Sequence, residues 1–561
     1  MTLRVRWLGR VQYQDGLALQ RALFHAGPSG DDWLLLLEHN HVYTMGVRAK
    51  AEHVLVDPAS VGAELVKADR GGDVTYHGPG QLTGYPILTV PMGPNATPAY
   101  VHGVEQLIID VLGDLGLSDA RRLEGYPGVW VGAEPRKICA IGVRLSRGRS
   151  MHGFALNVDP DLSYFSHIVP CGIADKSVTS LKAEGIDVSM RDVVDAVVSR
   201  AASRWGGTSV ERQDAAWRVR TEDLSAFTRG EGPGTPSQGQ GAPVRLLGRL
   251  AEAGVDSSGA VAISERKPSW LRVKANMGEE YRSLKKTMRS LDLVTVCEEA
   301  GCPNIFECWK DGTATFMING DRCTRACGFC LVDTRKPLPV DADEPIRVAE
   351  AVDRLGLQHA VVTAVARDDL ADGGASGFAA TIRAIHTRRP GVAVEVLIPD
   401  CHGSPSALGT IFDARPEVLN HNMETVARLQ RAVRPSASYT RSLAVLARAK
   451  AAGLTTKSGL ILGMGETEQE VIGALADLGG VRVDIVTLGQ YLRPTSHHLP
   501  VDRWWTPEEF TRLKHIGEAM GIPHVEASPL TRSSYHAKQA AASVTAAPFA
   551  GSGEQTAASF S

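Results

Sequence analysis

The 561-residue sequence predicts an α/β protein of two domains, and three observations predict it. From about residue 267, strand-like runs alternate with helical ones: Ala314–Ile318, His359–Val365, Val392–Ile398, Val418–Asn420, Ser458–Leu462 and Asp484–Leu488. Six βα units of this kind suggest a parallel barrel, complete or partial. Residues 1–217 read as one α/β unit of a different rhythm. Between the two, the Gly/Pro/Gln-rich stretch 229–243 has almost no apolar surface to bury and is expected to be a flexible linker. The expected division is therefore 1–217, a linker at 218–266, 267–540, and a disordered Ala/Ser/Gly-rich tail at 541–561. Residues 244–266 carry no clear signal.

Within the first domain, Trp33–Leu37 is a continuous apolar run of strand length. Tyr100 to Leu117 places Val101, Val104, Ile108, Val111 and Leu115 on one helical face. Ile138–Leu145 and His152–Val158 read as strands, and Arg191–Trp205 as an amphipathic helix.

A formal net charge of -3 gives no general case for nucleic acid or membrane as a partner, and no run approaches a membrane span. Arg4, Arg6 and Arg10, with no acid before Asp15, could pass for a transit segment. Val5–Leu8 and the residues from Gln12 already read as folded structure, so a cytoplasmic protein is expected. Nine cysteines without a signal peptide point to a reducing compartment, where thiolates are free to bind iron.

Six of those cysteines lie between residues 297 and 330. Cys297, Cys302 and Cys308 form C-x4-C-x5-C, and Cys323, Cys327 and Cys330 form C-x3-C-x2-C. Structural zinc prefers four protein ligands. Three thiolates on a compact loop suit a cubane iron–sulfur cluster with one iron open or otherwise ligated. The C-x3-C-x2-C loop resembles the radical S-adenosylmethionine superfamily, in which the open iron binds S-adenosylmethionine and a 5'-deoxyadenosyl radical is released. The second triplet, with Arg532-Ser533-Ser534-Tyr535, narrows the resemblance to lipoyl synthases. It implies a partial (β/α)6 TIM-type barrel and two 4Fe-4S clusters. Cys323, Cys327 and Cys330 would hold one; Cys297, Cys302, Cys308 and Ser534 would hold the other, which is spent as sulfur donor. Asp368-Asp369-Leu370-Ala371-Asp372-Gly373-Gly374 and Glu395 match family segments. Gly373 and Gly374 would let backbone approach S-adenosylmethionine, and Glu395 is grouped with them as cofactor-binding. Ala366 and Cys401 depart from the family pattern without touching a cluster ligand.

The first domain carries a glycine-rich loop from Arg70 to Gln81, a strand with Lys137, and a Pro170-Cys171-Gly172 turn. A turn can lift a thiol toward substrate, and a nearby lysine would lower its pKa. Spacing alone does not bring the three together. With Met151–Asn157 they resemble octanoyltransferases of lipoate synthesis, whose fold is that of biotin and lipoate protein ligases. The resemblance makes Cys171 the acyl-thioester nucleophile and Lys137 its proton partner. It lines the acyl channel with Arg70, Gly71, Gly72, Asp73, Val74, Thr75, Tyr76 and His77, with Ala140, Ile141 and Gly142, and with Gly153, Phe154 and Ala155.

Together the two resemblances imply a bifunctional lipoylation enzyme. Octanoyl would pass from octanoyl-acyl carrier protein to lipoyl domains of 2-oxoacid dehydrogenase E2 subunits and glycine cleavage H protein. Two sulfurs would then enter at C6 and C8, with reduced ferredoxin or flavodoxin as electron donor. The alternative is a lipoate ligase-like or acyl-binding module joined to a sulfur-inserting enzyme. Ligase chemistry needs no cysteine nucleophile.

Overall fold

The computed structural model describes residues 1–27, 30–170, 176–215, 244–272, 282, 286, 288–291, 293–295 and 313–545. Cys171, Cys297, Cys302, Cys308 and the 229–243 stretch lie outside the described residues. By its contacts the chain divides into two compact units. One spans Met1–Leu224, Val426–Ala451 and Thr467–Arg482; the other spans Ser225–Thr425, Ala452–Glu466 and Val483–Ser561.

The first unit is built on β1 (Thr2–Val11), α1 (Tyr13–His25), β2 (Asp32–His39), β3 (Val42–Met45), β4 (Glu64–Lys67), β5 (Val74–His77) and β6 (Gln81–Ile87). There follow α2 (Ala96–Asp114), β7 (Arg121–Leu123), β8 (Tyr126–Val131), β9 (Arg136–Ser146), β10 (Arg149–Asn157), α3 (Met190–Trp205) and β11 (Ser209–Asp214). The main sheet runs β11-β1-β2-β6-β10-β9-β8-β7. Leu34 and Leu36 of β2 point into a core closed by Val104, Ile108 and Val111 of α2 and Val193, Val194 and Val197 of α3. These are the periodic positions of the sequence. Ser189 and Asp192 start α3 with a capping box, each satisfying the other's backbone N–H. A smaller sheet, β4-β3-β5, covers a satellite core around Tyr43, Val74, Tyr76 and Phe165.

The C-terminal run begins with α4 (Val244–Glu252), β12 (Val294–Thr295), β13 (Thr313–Ile318), α5 (Glu344–Arg354), β14 (His359–Ala364), α6 (Ala375–Arg388), β15 (Ala393–Leu397), α7 (Pro405–Asp413) and β16 (Val418–Asn420). It continues with α8 (Tyr439–Ala451), β17 (Thr455–Leu462), α9 (Glu468–Gly480), β18 (Ile485–Gln490), α10 (Pro507–Ala519), β19 (His524–Ala527) and α11 (Ala537–Thr545). Strands β12 to β19 form one sheet in chain order; β13 to β19 are parallel and β12 is antiparallel. The six expected strands are present. The sequence reading missed β19, a four-residue strand with charged or titratable His524 and Glu526 in alternation. It also left 244–266 unread, where α4 buries Leu246 and Leu250. Helix α11 takes in residues 541–545, the start of the stretch expected to be a disordered tail.

The two faces of this sheet differ in chemistry. Ala314, Phe316, Val362, Val394, Val396 and Leu419 make one face apolar, as a doubly covered parallel sheet requires. Strand register puts His359, Glu395, Asn420 and Lys457 on the other face. Buried polar groups cost free energy unless bonded, so that face reads as a working surface.

Candidate functional site

In the first unit, three distant segments meet through backbone pairing. Strands β9 and β10 pair Ala140 with Ala155, Ile141 with Phe154 and Gly142 with Gly153. The Arg70 loop docks on the same strand: Gly71 N–H donates to the Val143 carbonyl at 2.9 Å. A Cβ at Gly142 would lie 3.0 Å from the Gly71 carbonyl oxygen, so glycine permits this approach. Arg70 is fixed in turn, donating to the carbonyl and hydroxyl oxygens of Thr44.

Lys137 is buried, with its ammonium 4.7 Å from the Trp130 ring centroid. Its backbone N–H donates to Ser177 and its carbonyl accepts from Thr179. A narrow cavity brings Lys137 together with Thr75, Ala140 and Ala155, and with Pro170, the covalent neighbour of Cys171. The cavity is also lined by Gln81 and Asn157, whose roles sequence reasoning missed. His77 Nδ1 lies 2.8 Å from Gln81 Oε1, Gln81 donates to Asn157, and Asn157 donates to the Thr179 carbonyl. Burial, and then His39 and Arg70 nearby, hold His77 well below its ordinary pKa, so its ring is neutral.

Strand alternation sorts the remaining expected residues. Val74 and Tyr76 pack into the satellite core, Tyr76 bonding His41 at 2.8 Å. Phe154 belongs to the main core, with Ile141 packed against it. Gly72 accepts the Arg48 N–H, and Asp73 bonds His53. These residues support the cavity and do not line it.

In the second unit the C-x3-C-x2-C loop follows β13, at the carboxyl ends of the parallel strands, where such barrels hold their chemistry. Two neighbours of Cys323 moor it. Thr324 donates its N–H and hydroxyl to the Ala366 carbonyl. Arg325 is bidentate to Asp368 at 2.8 and 2.7 Å and reaches Asp400 at 2.6 Å. Desolvation works against the Arg325 charge, but these carboxylates outweigh it and raise its pKa. The Arg325 clamp was not anticipated; an arginine between two cluster cysteines was its signal. On the other side, Leu499 N–H donates to the Gly328 carbonyl, and His498 Nε2 lies 3.0 Å from the Cys330 carbonyl oxygen.

Cys323, Cys327 and Cys330 form no disulfide among the described residues. Burial, then the neighbouring Cys327, pushes Cys330 up to about 12, with Cys323 adding to the effect. Among the described residues, no three His, Cys, Asp or Glu side chains close on a single metal ion. A cubane cluster distributes its thiolates over separate irons, so this donor set fits that group. Asn420, the last residue of β16, is fully buried, and neither amide atom has a hydrogen-bond partner among the described residues. A group of that kind calls for a polar ligand or water.

The structure places the remaining expected residues of this unit. Glu395 lies mid-strand, fully buried, with Lys457 donating to its oxygens at 2.9 and 3.3 Å and His359 3.5 Å away. This engagement ties β15 to β14 and β17 across the buried polar face. Gly373 and Gly374 take left-handed φ of 62° and 90° beside α6. The space beside them is filled from within: a Cβ at Gly374 would meet the Asn319 amide at 2.5 Å, and one at Gly373 the Cys401 backbone at 3.0 Å. Their glycine requirement is met by the fold. Ser534 sits in the turn from Arg532 to Tyr535, next to Ser533, whose hydroxyl accepts from Asn422 just beyond β16.

Comparisons with known proteins agree with this geometry. Over about half of this chain and 85% of its relative's length, the sequence is 54% identical to lipoyl synthase of Kineococcus radiotolerans. The chain belongs to the lipoyl synthase family. Lipoyl synthase of Rubrobacter xylanophilus is 57% identical over 49% of this chain and 86% of its own length. Residues 257–302 match the N-terminal domain of lipoyl synthase of the radical SAM family, and 317–478 match the radical SAM superfamily. Residues 12–202 match the lipoyl protein ligase A/B catalytic domain. A bipartite lipoate protein ligase of Thermoplasma acidophilum, 20% identical, covers 42% of this chain and 94% of its own with a TM-score of 0.34. The chain thus joins an acyl-transferring domain of the ligase/octanoyltransferase type to a sulfur-inserting radical SAM lipoyl synthase, which implies 4Fe-4S chemistry and S-adenosylmethionine.

Proposed function

We propose that this lipoyl synthase fusion builds the lipoyl group on a lysine of a lipoyl domain in two steps. Cys171 first takes octanoyl as a thioester from octanoyl-acyl carrier protein, releasing the carrier thiol. The acceptor lysine amine then displaces Cys171, forming the amide and returning the thiol. Lys137 holds the proton exchanged at sulfur, and its cation favours thiolate. The observation carrying this step is the shared cavity of Lys137 and Pro170, with Ser177 and Thr179 paired to the Lys137 backbone.

In the second step sulfur enters at C6 and C8 of the bound chain. Cys323, Cys327 and Cys330 hold one 4Fe-4S cluster; Cys297, Cys302, Cys308 and Ser534 hold another. With S-adenosylmethionine, these groups supply hydrogen abstraction and sulfur. The chain contributes position: Thr324 and Arg325 moor the cysteine loop, and Asn420 offers an amide to a polar ligand. Reduced ferredoxin or flavodoxin supplies electrons, the acceptors are E2 lipoyl domains and glycine cleavage H protein, and the setting is the cytoplasm. Residues 1–217 and 267–540 act as the two catalytic domains.

Intact-mass measurement after acid quench tests the acyl step. Octanoyl carrier protein should leave one acyl group on the wild type and none on Cys171→Ala. An acylated Cys171→Ala, or acceptor modification only with ATP and free octanoate, would turn the reading to a ligase.

A further inference from the structure

Within the first compact unit, α1, α8 and the end of α9 enclose a cavity of about 480 Å³ unrelated to either catalytic constellation. Its cations are Arg21 of α1, Arg448 and Lys450 of α8, and Arg482, with His25 of α1 beside them, over a floor that includes Leu17 and Val481. No carboxylate is among its lining residues. Asp15, itself buried, accepts from Arg441 at 3.3 Å and is ion-paired with Arg448 at 2.9 Å. Burial, then the charges of Arg144, Arg147, Arg21 and Arg482, lower the His25 pKa, so the potential there is positive. Arg144 is itself paired with Asp69, which bonds His152 at 2.8 Å.

We propose that this cavity docks an acidic surface of the acyl-acceptor domain, with a carboxylate-bearing loop seated among the cations. The inference rests on the functional reading above. Charge fixes the sign of the partner, because a concave cationic surface steers and retains anionic ones. The lining fixes which partner. Helix α1 lies in the stretch matching the ligase catalytic domain, and α8 in the stretch matching the radical SAM superfamily. The acceptor is the one macromolecule common to both reactions, whereas the acyl donor meets only the first.

The test uses the full-length enzyme, Arg21→Glu, Arg482→Glu and their combination, with a lipoyl domain of net negative charge. Both arginines are exposed. The double variant should raise KM for the unmodified domain in acyl transfer, and for the octanoylated domain in sulfur insertion, by about tenfold at low salt. Neither kcat should change, nor KM for octanoyl carrier protein, and the gap should close near 0.5 M salt as screening sets in. Each single variant should give part of the effect, which keeps the test decisive should the double variant misfold. Unchanged acceptor KM in both reactions overturns the docking site, as does a rise confined to the acyl donor. A wild type that neither binds nor modifies the domain removes the functional reading itself; normal wild-type turnover with unaffected variants removes only the docking site.

Discussion

Lys457 and Glu395 meet with both side chains shut away from solvent. Burial alone would raise the Glu395 carboxyl; Lys457, with His359 behind it, outweighs burial and holds it below the usual carboxylate range. The pair therefore contributes stability above the ordinary carboxylate pKa, and that contribution is lost as pH falls through the lowered value. Lys457→Met should cost about 3–5 kcal/mol at pH 7, because it strands a buried charge. The loss should shrink toward pH 4, where Glu395 can take a proton; chemical denaturation at the two pH values measures it. A loss independent of pH would mean that Lys457 acts by packing alone. His39 runs on the same logic. Burial, only partly opposed by the Val11 carbonyl, lowers it from 6.5 to about 4. The unfolded chain then takes a proton that the folded one refuses, so stability falls as pH drops from 6.5 toward 4, by roughly 1 kcal/mol per pH unit. His39→Gln should flatten that slope. Neither pairing was legible in the sequence: Glu395 matched a family segment, and its partners Lys457 and His359 come from other strands of the barrel.

At the scale of elements, α4 shows how a stretch without a sequence signal acquires a role. Nine residues give too little periodicity to read. Yet Leu246 lies fully buried against Gly328, where a Cβ would stand 3.0 Å from its Cδ2 and 2.8 Å from the Leu499 side chain. Gly328 sits between Cys327 and Cys330, so α4 braces the cysteine loop from behind. Leu246→Ala should cost about 2–5 kcal/mol and loosen that loop. In iron-free protein, Cys323 and Cys327 should then alkylate faster, while Cys139, buried in the other unit, should not. Equal rates would make α4 a mere cover. Strand β19 escaped notice for a related reason: its alternation of His524, Val525, Glu526 and Ala527 is too short to outweigh its polar residues. The six longer strands were legible because one apolar face repeats along each. The cavity beside Lys137 was legible only through resemblance, since residues 75, 137, 155 and 170 are brought together by the fold, not by spacing.

For the whole molecule, two activities on one chain raise the question of passage between them. The acceptor carries its acyl chain on a mobile lysine arm, and the linker expected at 229–243 has a flexible composition. Tethering then gives the second site an effective concentration of roughly millimolar order. At low acceptor concentration the intact chain should release less octanoylated intermediate to a competing trap than an equimolar mixture of its separated halves. Equal trapping would leave two independent enzymes on one chain. Beneath that lies the claim on which every other depends, that one polypeptide both attaches octanoyl and inserts sulfur. Mass spectrometry of a lipoyl domain tests it most directly, after incubation with reconstituted enzyme, octanoyl carrier protein, reductant and S-adenosylmethionine. The account predicts octanoyl adducts in Cys323→Ala, lipoyl adducts in the wild type, and neither adduct in Cys171→Ala unless the domain arrives octanoylated. Lipoyl product from Cys171→Ala on an unmodified domain, or from Cys323→Ala, would contradict it.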